Sequence, residues 1–544
     1  MATTGRDSAP PPEYAEHPDT FGIPPAVYGR RQAILAVLCG SLVLIVVAVS
    51  SLNVAIPTIQ RALGASPTEL QWIIDSYALV FAGFLLPAGA IGDRFGRKGT
   101  LQVGLVIFAA CALVATMAHT PATLIAARAV MGLGAALVMP ATLSIIQNSF
   151  PPLERSKAIA TWAGLAGAGG AIGPLLSGLM LEHFWWGSVF LINIPIVILL
   201  LGLVSVIVPT SRDPFGHPLD PLGALLSVVA LTTLVFAIIE GPEWGWSSVG
   251  VISMFGAAIV FGLGFVAWEL RTEFPTLDPR LFRLRGFAMG SLSISTIFFA
   301  MFGMFFLATQ YLQYVKGYSP LGAGVRTIPS AVMLILVSPR SPAIVGRLGV
   351  RTTTRLGYAF VVAGFLGMAT LGVQTPYWHF MIGLMVLATG MALIMPPSTS
   401  AIISSLPMSK AGVGSAVNDA TREVGGAIGI AVMGSILNSM YTSRIDLSKV
   451  AAAVPEAFRD QFARAAPAIR EGIGPAEGVA RGIEAQSAGL PGVGQIGAGI
   501  RDAAREAFVG GTQVAFLVAA CVALVGGLIV SSRIPDEQVV GHDT

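Results

Sequence analysis

Carboxyl groups that interrupt long apolar runs are the residues of this chain most able to do chemistry. Asp75 is the only charged residue in the stretch 71–77 (QWIIDSY). Asp419 and Glu423 interrupt another run and are four residues apart, so a helix would place both on one face, where like charges repel. A carboxylate inside a bilayer is costly, which makes each of these residues a functional candidate. An apolar environment disfavours the charged form, so the pair could share a proton and exchange it.

Each of these sites also has a structural interpretation. Asp75 would then be a wetted carboxylate near the rim of the membrane. Arg422 lies three residues beyond Asp419 and could neutralise it, which would make the pair part of a buried ion-pair cluster between helices. Arg128, inside an apolar run, could donate hydrogen bonds to backbone carbonyls rather than serve a proton path. The sequence leaves these alternatives open.

The apolar runs that must hold these residues dominate the composition. Charged residues make up 11% of the 544 residues and hydrophobic residues 54%, whereas a typical soluble domain is about 25% charged. No charged residue occurs between Arg31 and Arg61, a run longer than the roughly 20 residues that cross a bilayer as a helix. We therefore expect an all-α, polytopic membrane protein. The first 30 residues are polar and Pro-rich, unlike a cleaved signal peptide, so the first span should be retained.

Uncharged apolar runs predict fourteen membrane-spanning helices. Their ranges are 34–56, 72–92, 100–118, 122–147, 157–181, 187–208, 220–240, 249–268, 287–313, 321–345, 355–373, 377–402, 412–440 and 512–531. With both termini in the cytoplasm and the chain in the inner membrane, the short outer loops hold almost no basic residue except Arg61 and Lys316, as the positive-inside rule requires. A twelve-helix count would require 220–240 and 249–268 not to cross, and charge alone does not decide between the two counts.

Residues 441–511 differ in composition, being rich in Ala, Gly and mixed charges. We expect this segment outside the membrane, as short amphipathic helices that cap the last two spans. A mostly disordered segment fits the same composition. Nothing in the sequence supports a periplasmic adaptor at this segment, and we expect a monomer.

A short basic turn with glycines occurs twice in the chain. The stretch 89–98 (GAIGDRFGRK) follows the second span and 346–351 (GRLGVR) follows the tenth, with Gly346 where the first copy has Asp93. The repetition predicts two six-helix bundles with two inserted helices between them, and such transporters place the substrate path at the midplane. The predicted regions are the N-terminal tail 1–31, the first bundle 32–208, the inserted pair 209–285, the second bundle 286–531 and the C-terminal tail 532–544.

Five motifs occur in order on the predicted helices. They are the stretch 89–98, Arg128-x-x-x-Gly132-x-Gly134, Gly169-x-x-x-Gly173-Pro174-x-x-x-Gly178, and the stretches 52–57 (LNVAIP) and 190–195 (FLINIP). Together they resemble the signatures of the fourteen-helix drug:proton antiporters of the major facilitator superfamily (EmrB/QacA type), over about residues 30–535. The resemblance implies a major facilitator fold, export of lipophilic compounds by alternating access, and a proton gradient as the energy source with no cofactor.

The resemblance also implies roles for individual residues. Asp75, Asp419 and Glu423 match acids that the family uses for proton and substrate coupling, and Arg128 would help a nearby acid release its proton. Asp93 would close the cytoplasmic gate. The gating set is Gly89, Asp93, Arg94, Gly96 and Arg97, and the antiporter motif, which would allow close helix contact and flexing, is Gly169, Gly173, Pro174 and Gly178.

Two positions depart from the family pattern. Ala48 stands where the family commonly has an acid in the first span, and Leu334 aligns with an acid of the tenth span. Dicationic drugs are therefore less expected than monocationic, neutral or zwitterionic lipophiles. A physiological lipid or secondary metabolite stays open as the substrate.

Other function classes find little support in the sequence. A net charge of +3 without a basic patch does not favour nucleic-acid binding. The three cysteines and six histidines have no metal-ligand spacing, and no nucleotide-binding loop with Lys-Ser/Thr is present. A nutrient importer on the same fold is the second hypothesis. An enzyme or a receptor is the third, but neither a catalytic constellation nor an appended domain supports it.

Overall fold

The protein is a bundle of long helices. The computed structural model describes residues 23–213, 218–454, 456, 459–486 and 493–536, and these residues form helices and connecting turns without a β-strand. Thirteen helical stretches among them are long and apolar enough to cross a membrane. One, Pro320–Met368, has 49 residues, or about 73 Å of helix at 1.5 Å per residue, more than twice the roughly 30 Å of a bilayer core. It therefore contains two crossings, and the described residues hold the fourteen that the sequence predicts.

The helices follow the order of the predicted spans. Those of the first half of the chain are α1 (Pro25–Leu63), α2 (Pro67–Phe95), α3 (Arg97–Thr116), α4 (Pro121–Ser149), α5 (Pro152–His183), α6 (Asn193–Ile207), α7 (Pro221–Trp244) and α8 (Val249–Glu269). Those of the second half are α9 (Arg285–Gln310), α10 (Pro320–Val337), α11 (Ser341–Met368), α12 (Tyr377–Ser404), α13 (Ala411–Arg444), α14 (Ser448–Ala453), α15 (Arg459–Glu471), α16 (Ile473–Gln486) and α17 (Val493–Arg533).

Local capping sets several helix starts outside the apolar runs. Ser66 and Glu69 form a capping box before α2: the Ser66 hydroxyl accepts from the Glu69 amide (3.3 Å), and the Glu69 carboxylate accepts from the Ser66 amide (2.8 Å). The side chains of Thr120 and Asp220 likewise accept from backbone amides at the starts of α4 and α7. As a result α2 begins five residues before the predicted 72.

The two copies of the basic turn share a backbone feature. Gly96, between α2 and α3, has φ +116°, and Gly349, at the equivalent place within α11, has φ +79°. Both values lie in the region that favours glycine. In the second copy the Arg351 amide donates to the Asp536 carboxylate at 3.1 Å, so this turn binds a residue from beyond the last span.

We call helices α1–α6 the first half of the bundle and helices α9–α13 with α17 the second half. The halves meet mainly where α5 packs against α10 and α2 against α13, with further contacts of α4 with α13 and of α5 with α12. Within the halves, α1 packs against α5 and α2 against α4, and α9 packs against α13 and α11 against α12. The inserted helix α7 packs against both α2 and α13, and α8 packs on α7. The inserted pair thus lies beside one seam between the halves.

The segment predicted to cap the last two spans is helical in its described part. It contains α14, α15, α16 and the first turns of α17, which begins at Val493 and not at the predicted 512. The early start was not predicted because the first turns of α17 have a polar sequence. Their packing against α16 is a tertiary contact that the sequence does not reveal. Arg501 of α17 forms ion pairs with Glu477 (3.1 Å) and Glu484 (2.5 Å). The Arg501 guanidinium holds the pKa of Glu484 below its usual range.

Candidate functional site

Asp93 closes one end of the seam between α2 and α13. Its Oδ1 accepts from the Gly412 amide (2.9 Å) and its Oδ2 from the Val413 amide (3.2 Å). These amides belong to the first turn of α13, where a helix has no internal acceptors and a carboxylate is favoured. Arg97 donates to Asp93 Oδ1 through Nε (2.9 Å) and Nη2 (2.7 Å). The contact joins α2, α3 and α13, and we call the end of the bundle where it lies the Asp93 end.

Two other residues of the predicted gating set, Gly89 and Gly96, allow the backbones of α2, α3 and α13 to come close enough for this contact. A Cβ atom on Gly89 would lie 2.5 Å from the Gly412 carbonyl oxygen, so only glycine allows this approach. The turn at Gly96 then places Arg97 beside Asp93. Arg97 also donates to the Met408 carbonyl (2.8 Å), just before α13.

Arg94, the remaining member of the predicted gating set, has a different environment. Its guanidinium carbon lies 5.6 Å from the centroid of the Phe95 ring. The side chain of Arg94 is partly exposed, whereas those of Asp93 and Arg97 are almost fully buried in their mutual ion pair. The structure therefore distinguishes a buried pair from a more superficial arginine in the same motif.

Arg128 of α4 lies against α2 beside Asp75. Its Nε donates to the Ile73 carbonyl (3.0 Å), and its guanidinium carbon is 4.4 Å from the centroid of the Tyr77 ring. The hydrogen bond from Arg128 to a backbone carbonyl, which is one of the two interpretations that the sequence left open, is thus present. Arg128 also interacts electrostatically with Asp75. Across the described residues, Arg128 Nη1 and Asp75 Oδ2 are buried without a hydrogen-bond partner. One donor and one acceptor are therefore available for another state of the protein.

Asp419 and Arg422 form a buried pair in α13. Arg422 Nη1 lies 3.4 Å from Asp419 Oδ1, and Asp419 is 1% exposed. Asn418 also donates to Asp419 Oδ1 (3.4 Å), while its own oxygen accepts from Thr399 of α12 (3.1 Å). The ion pair between Asp419 and Arg422, which the sequence left open as an alternative, is therefore present. Among the described residues, however, Asp419 Oδ2 and Arg422 Nε and Nη2 have no hydrogen-bond partner.

Aromatic rings from both halves surround the Arg422 guanidinium. Its central carbon is 4.6 Å from the Trp162 ring of α5 and 4.8 Å from the Phe298 ring of α9. Such contacts stabilise a cation where water is excluded. The Trp162 N–H is held by the Thr142 hydroxyl of α4 (3.1 Å). The cation of α13 thus bridges the two halves.

Glu423 connects the two acidic sites electrostatically. It interacts with Asp419 on its own helix and with Tyr77 of α2. The Tyr77 ring lies under Arg128, and its hydroxyl is buried without a hydrogen-bond partner in the described structure. Asp75, Arg128 and Tyr77 therefore lie together where α2 meets α4, and Glu423 acts electrostatically on Tyr77 from α13.

The predicted antiporter motif is a packing surface of α5. A Cβ atom on Gly169 would lie 3.0 Å from Val46, and one on Gly173 would be 2.8 Å from the Ser51 amide nitrogen, both in α1. Gly178 and Pro174 face the other way, toward Leu321 and Gly324 of α10. The motif thus allows α5 to approach one helix in each half.

The two positions without the family acids are apolar and buried. Ala48 is buried in α1, and Leu334 is buried in α10, packed against Gly164 and Gly167 of α5. The side chain of Asn193, in the 190–195 motif, donates to the Val189 carbonyl at 3.1 Å. The side chains of Asn53 and Pro57 in the 52–57 motif lie outside what the structure describes.

Four residues near the predicted acids escaped the sequence analysis: Tyr77 and Trp162, whose rings contact Arg128 and Arg422, and Gln71 and Glu240, which interact with Asp75. Three are uncharged, and no local pattern separates them from packing residues. Glu240 is at the last position of the predicted span 220–240, where a charged residue is expected simply because the apolar run ends there. Its burial in α7, with 4% of its surface exposed, was the missing signal. Among the described residues no cluster of His, Cys, Asp and Glu could hold a metal ion.

Comparison with known proteins gives consistent matches over most of the chain. A family model described as "Major Facilitator Superfamily" matches residues 38–430. The chain is 36% identical over 468 residues to the methyl viologen resistance protein SmvA of Salmonella typhimurium, covering 85% of this chain and 90% of that protein. It is 34% identical over 502 residues to the multidrug efflux pump LfrA of Mycolicibacterium smegmatis, covering 92% and 96%. The human organic anion transporter MFSD10 (TETRAN) shares the fold, with a TM-score of 0.60 at 13% identity over 93% of this chain and 100% of that chain.

Proposed function

The chain belongs to the major facilitator superfamily, and from this premise we propose that it is a proton-coupled antiporter that exports lipophilic small molecules by alternating access. The named activities of SmvA and LfrA, resistance and multidrug efflux, support export. The observation that carries the proposal is the placement of two acids, Asp419, which is buried, and Asp75, which is partly buried. Each lies beside an arginine that stacks on an aromatic ring near the seam between the halves, where a rocking motion would change its surroundings.

The buried groups suggest how protons and substrate exchange. Asp419 Oδ2 and Asp75 Oδ2 each lack a hydrogen-bond partner in the described structure, and a proton on either oxygen would remove a buried negative charge. Arg128 and Arg422 stabilise the ionised acids when the proton leaves. In the proposed cycle, a lipophilic substrate and the proton compete for the same carboxylates, so that binding of one releases the other.

The Asp93 contact supplies the closed gate of this cycle. A carboxylate that caps α13 and pairs with Arg97 holds α2 against α13 at the Asp93 end. Opening this end requires Asp93 to leave the Gly412 and Val413 amides and Arg97 to leave the Met408 carbonyl, whereas the Asp93–Arg97 pair lies within the first half and can remain. We propose that it opens when the acids at the seam change their protonation state.

Orientation, membrane and substrate are part of the same proposal. We propose that both termini and the Asp93 end are cytoplasmic, which the distribution of basic residues favours, and that the chain lies in the inner membrane as a monomer. No cofactor is required, because the proton gradient supplies the energy. The apolar side chains of Ala48 and Leu334 favour monocationic, neutral or zwitterionic lipophiles. Export of one endogenous lipid or metabolite is the alternative, ahead of nutrient import.

Efflux from a pump-deficient host tests this function. Cells expressing the chain are loaded with ethidium, a lipophilic monocation, and its fluorescence is followed after re-energisation. We expect faster ethidium loss than from cells with an empty vector, and a higher minimum inhibitory concentration for several lipophilic drugs. Net ethidium uptake that depends on the chain would contradict export and favour the importer.

A further inference from the structure

The inserted helix α7 lies antiparallel to α2 in a defined register. Gly83 of α2 meets Thr232 of α7, where a Cβ atom on Gly83 would overlap the threonine hydroxyl. Nearer the start of α2, Leu79 packs with Val235, and the Trp72 and Phe236 ring centroids are 5.9 Å apart. This register brings the last turn of α7, which contains Glu240, to the level of Asp75.

Gln71 lies near both Glu240 and Asp75. Its side chain, one turn before Asp75, is close enough to interact with each of the two carboxyl groups, and Glu240 acts electrostatically on Asp75. Glu240 is 4% exposed, and the neighbouring Glu243 is exposed. Two carboxyl groups, one of them well buried, thus have one neutral amide as a common neighbour.

The chemistry of an amide favours one proton in this group. The amide of Gln71 has N–H donors and a carbonyl acceptor. It can donate to an ionised carboxylate and accept from a protonated one, so both of its faces are satisfied when one carboxyl is ionised and the other is neutral. Two ionised carboxylates would compete for the donors and repel one another in a site with little water.

Helix α7 also contacts the second half of the protein. Val424 of α13, adjacent to Glu423, packs on the cluster of Leu79, Ala82 and Val235. Beyond the end of α7, the Trp246 indole N–H donates to the Ser435 hydroxyl of α13 at 3.1 Å. A change in the position of α13 would therefore be transmitted to the helix that holds Glu240.

We propose that Glu240 is a further proton-binding residue, which shares a proton with Asp75 through Gln71 and so gives the inserted helix pair a part in coupling. This inference rests on the proposed function. The charged groups that act on Glu240 or on Asp75 are Glu243 on its own helix and Arg128 on α4. On α13, Val424 packs against α7, and the adjacent Glu423 acts on Tyr77. Glu240 would provide an acid close to the seam in a chain whose positions 48 and 334 have none.

Three variants test the proposal in proteoliposomes. Uptake of tetraphenylphosphonium is measured from pH 5.5 to 8.5 for the wild type, Glu240→Gln, Glu243→Gln and Gln71→Leu. We expect the pH profile of Glu240→Gln to move by about one pH unit toward lower pH, because Asp75 loses a nearby negative charge. Glu243→Gln should retain the wild-type profile, and Gln71→Leu, which cuts the link, should also change it.

The outcomes separate this inference from the proposed function. A proton-coupled wild type with a Glu240→Gln profile that superposes on those of the wild type and Glu243→Gln would overturn the role of Glu240 alone. A wild type without proton-dependent transport would overturn both. Size-exclusion profiles and melting temperatures of the variants identify a folding defect. Should Glu240→Gln not fold, the Gln71→Leu profile decides, with an unchanged profile counting against the proposal.

Discussion

Two buried arginines have the same kind of environment at the residue scale. Arg128 and Arg422 each stack on an aromatic ring, lie beside a carboxyl group and keep at least one N–H without a hydrogen-bond partner in the described structure. A guanidinium in such a site remains charged, so it can stabilise an ionised acid in one state and release it in another. These contacts favour arginines that exchange hydrogen-bond partners between states over arginines that are held in one fixed ion pair.

Breaking the Asp419–Arg422 pair from one side should destabilise the protein. Asp419→Ala leaves the Arg422 charge buried without its carboxylate, which typically costs about 3–5 kcal/mol of unfolding free energy. The double variant Asp419→Ala/Arg422→Met should recover part of this loss. Thermal melting in detergent measures both. Equal melting temperatures of Asp419→Ala and the wild type would show that the pair contributes no stability.

The sequence indicates the acidic residues of the site but not what they touch. Asp75, Asp93 and Asp419 stand out because charge is rare within apolar runs. The partners Tyr77, Trp162 and Gln71 are common packing or rim residues, and Trp162 is 260 positions from Arg422 in the sequence. Contacts of this kind depend on the packing of separate helices and leave no local pattern.

At the element scale, the antiporter motif acts through helix contacts. Gly173 lies against the backbone of α1, where an added Cβ atom would be 2.8 Å from the Ser51 nitrogen, whereas a Cβ atom on Gly170 would meet nothing within 4 Å. Glycine is therefore required at motif position 173 and replaceable at position 170, a variable position of the motif three residues earlier on the same helix.

Alanine substitutions should reproduce this contrast. Gly173→Ala forces α1 and α5 apart and should lower both the melting temperature and the transport rate, with a stability loss of about 1–3 kcal/mol, as for overpacking in cores. Gly170→Ala serves as the matched control and should resemble the wild type. Thermal melting and ethidium efflux provide the two readouts. Similar effects of both substitutions would contradict the packing role of Gly173.

The cap over the last spans should depend on pH. The lowered pKa of Glu484, caused by Arg501, means that this ion pair stabilises the contact of α16 with α17 above the ordinary glutamate pKa of about 4.3 and is lost as the pH falls further. The distance between spin labels on α16 and α17 should therefore broaden below about pH 4. In Arg501→Gln, which removes the ion pairs with both Glu484 and Glu477, the distribution should already be broad at pH 7. A narrow distribution in that variant would show that these ion pairs do not hold the cap.

Helix number and order could be predicted from composition, but helix ends could not. The fourteen apolar runs each need one crossing, which leaves little freedom in the count. The ends depend on caps such as Ser66 and on contacts such as Arg501 with Glu484, which extend helices through polar sequence. The described part of 441–511 is helical because of contacts of this second kind.

At the scale of the whole molecule, the Asp93 contact joins the two halves at one end of the bundle. The Asp93 contact closes the seam of α2 and α13 at that end, and the acids at the seam lie farther along the same helices. The inserted pair α7–α8 packs beside this seam and not on the outer face of a single half. Movement of the halves, the gate and the protonation of the acids should therefore occur together.

The central claim is that the buried acids couple protons to transport. The direct measurement is tetraphenylphosphonium movement in proteoliposomes with an imposed pH gradient, for the wild type, Asp75→Asn and Asp419→Asn. We predict movement of tetraphenylphosphonium against its gradient only when protons flow in the opposite direction, and a loss of at least about tenfold in each variant, as for removal of a proton-transfer group. Gradient-independent movement in the wild type, or unchanged transport in both variants, would contradict the account.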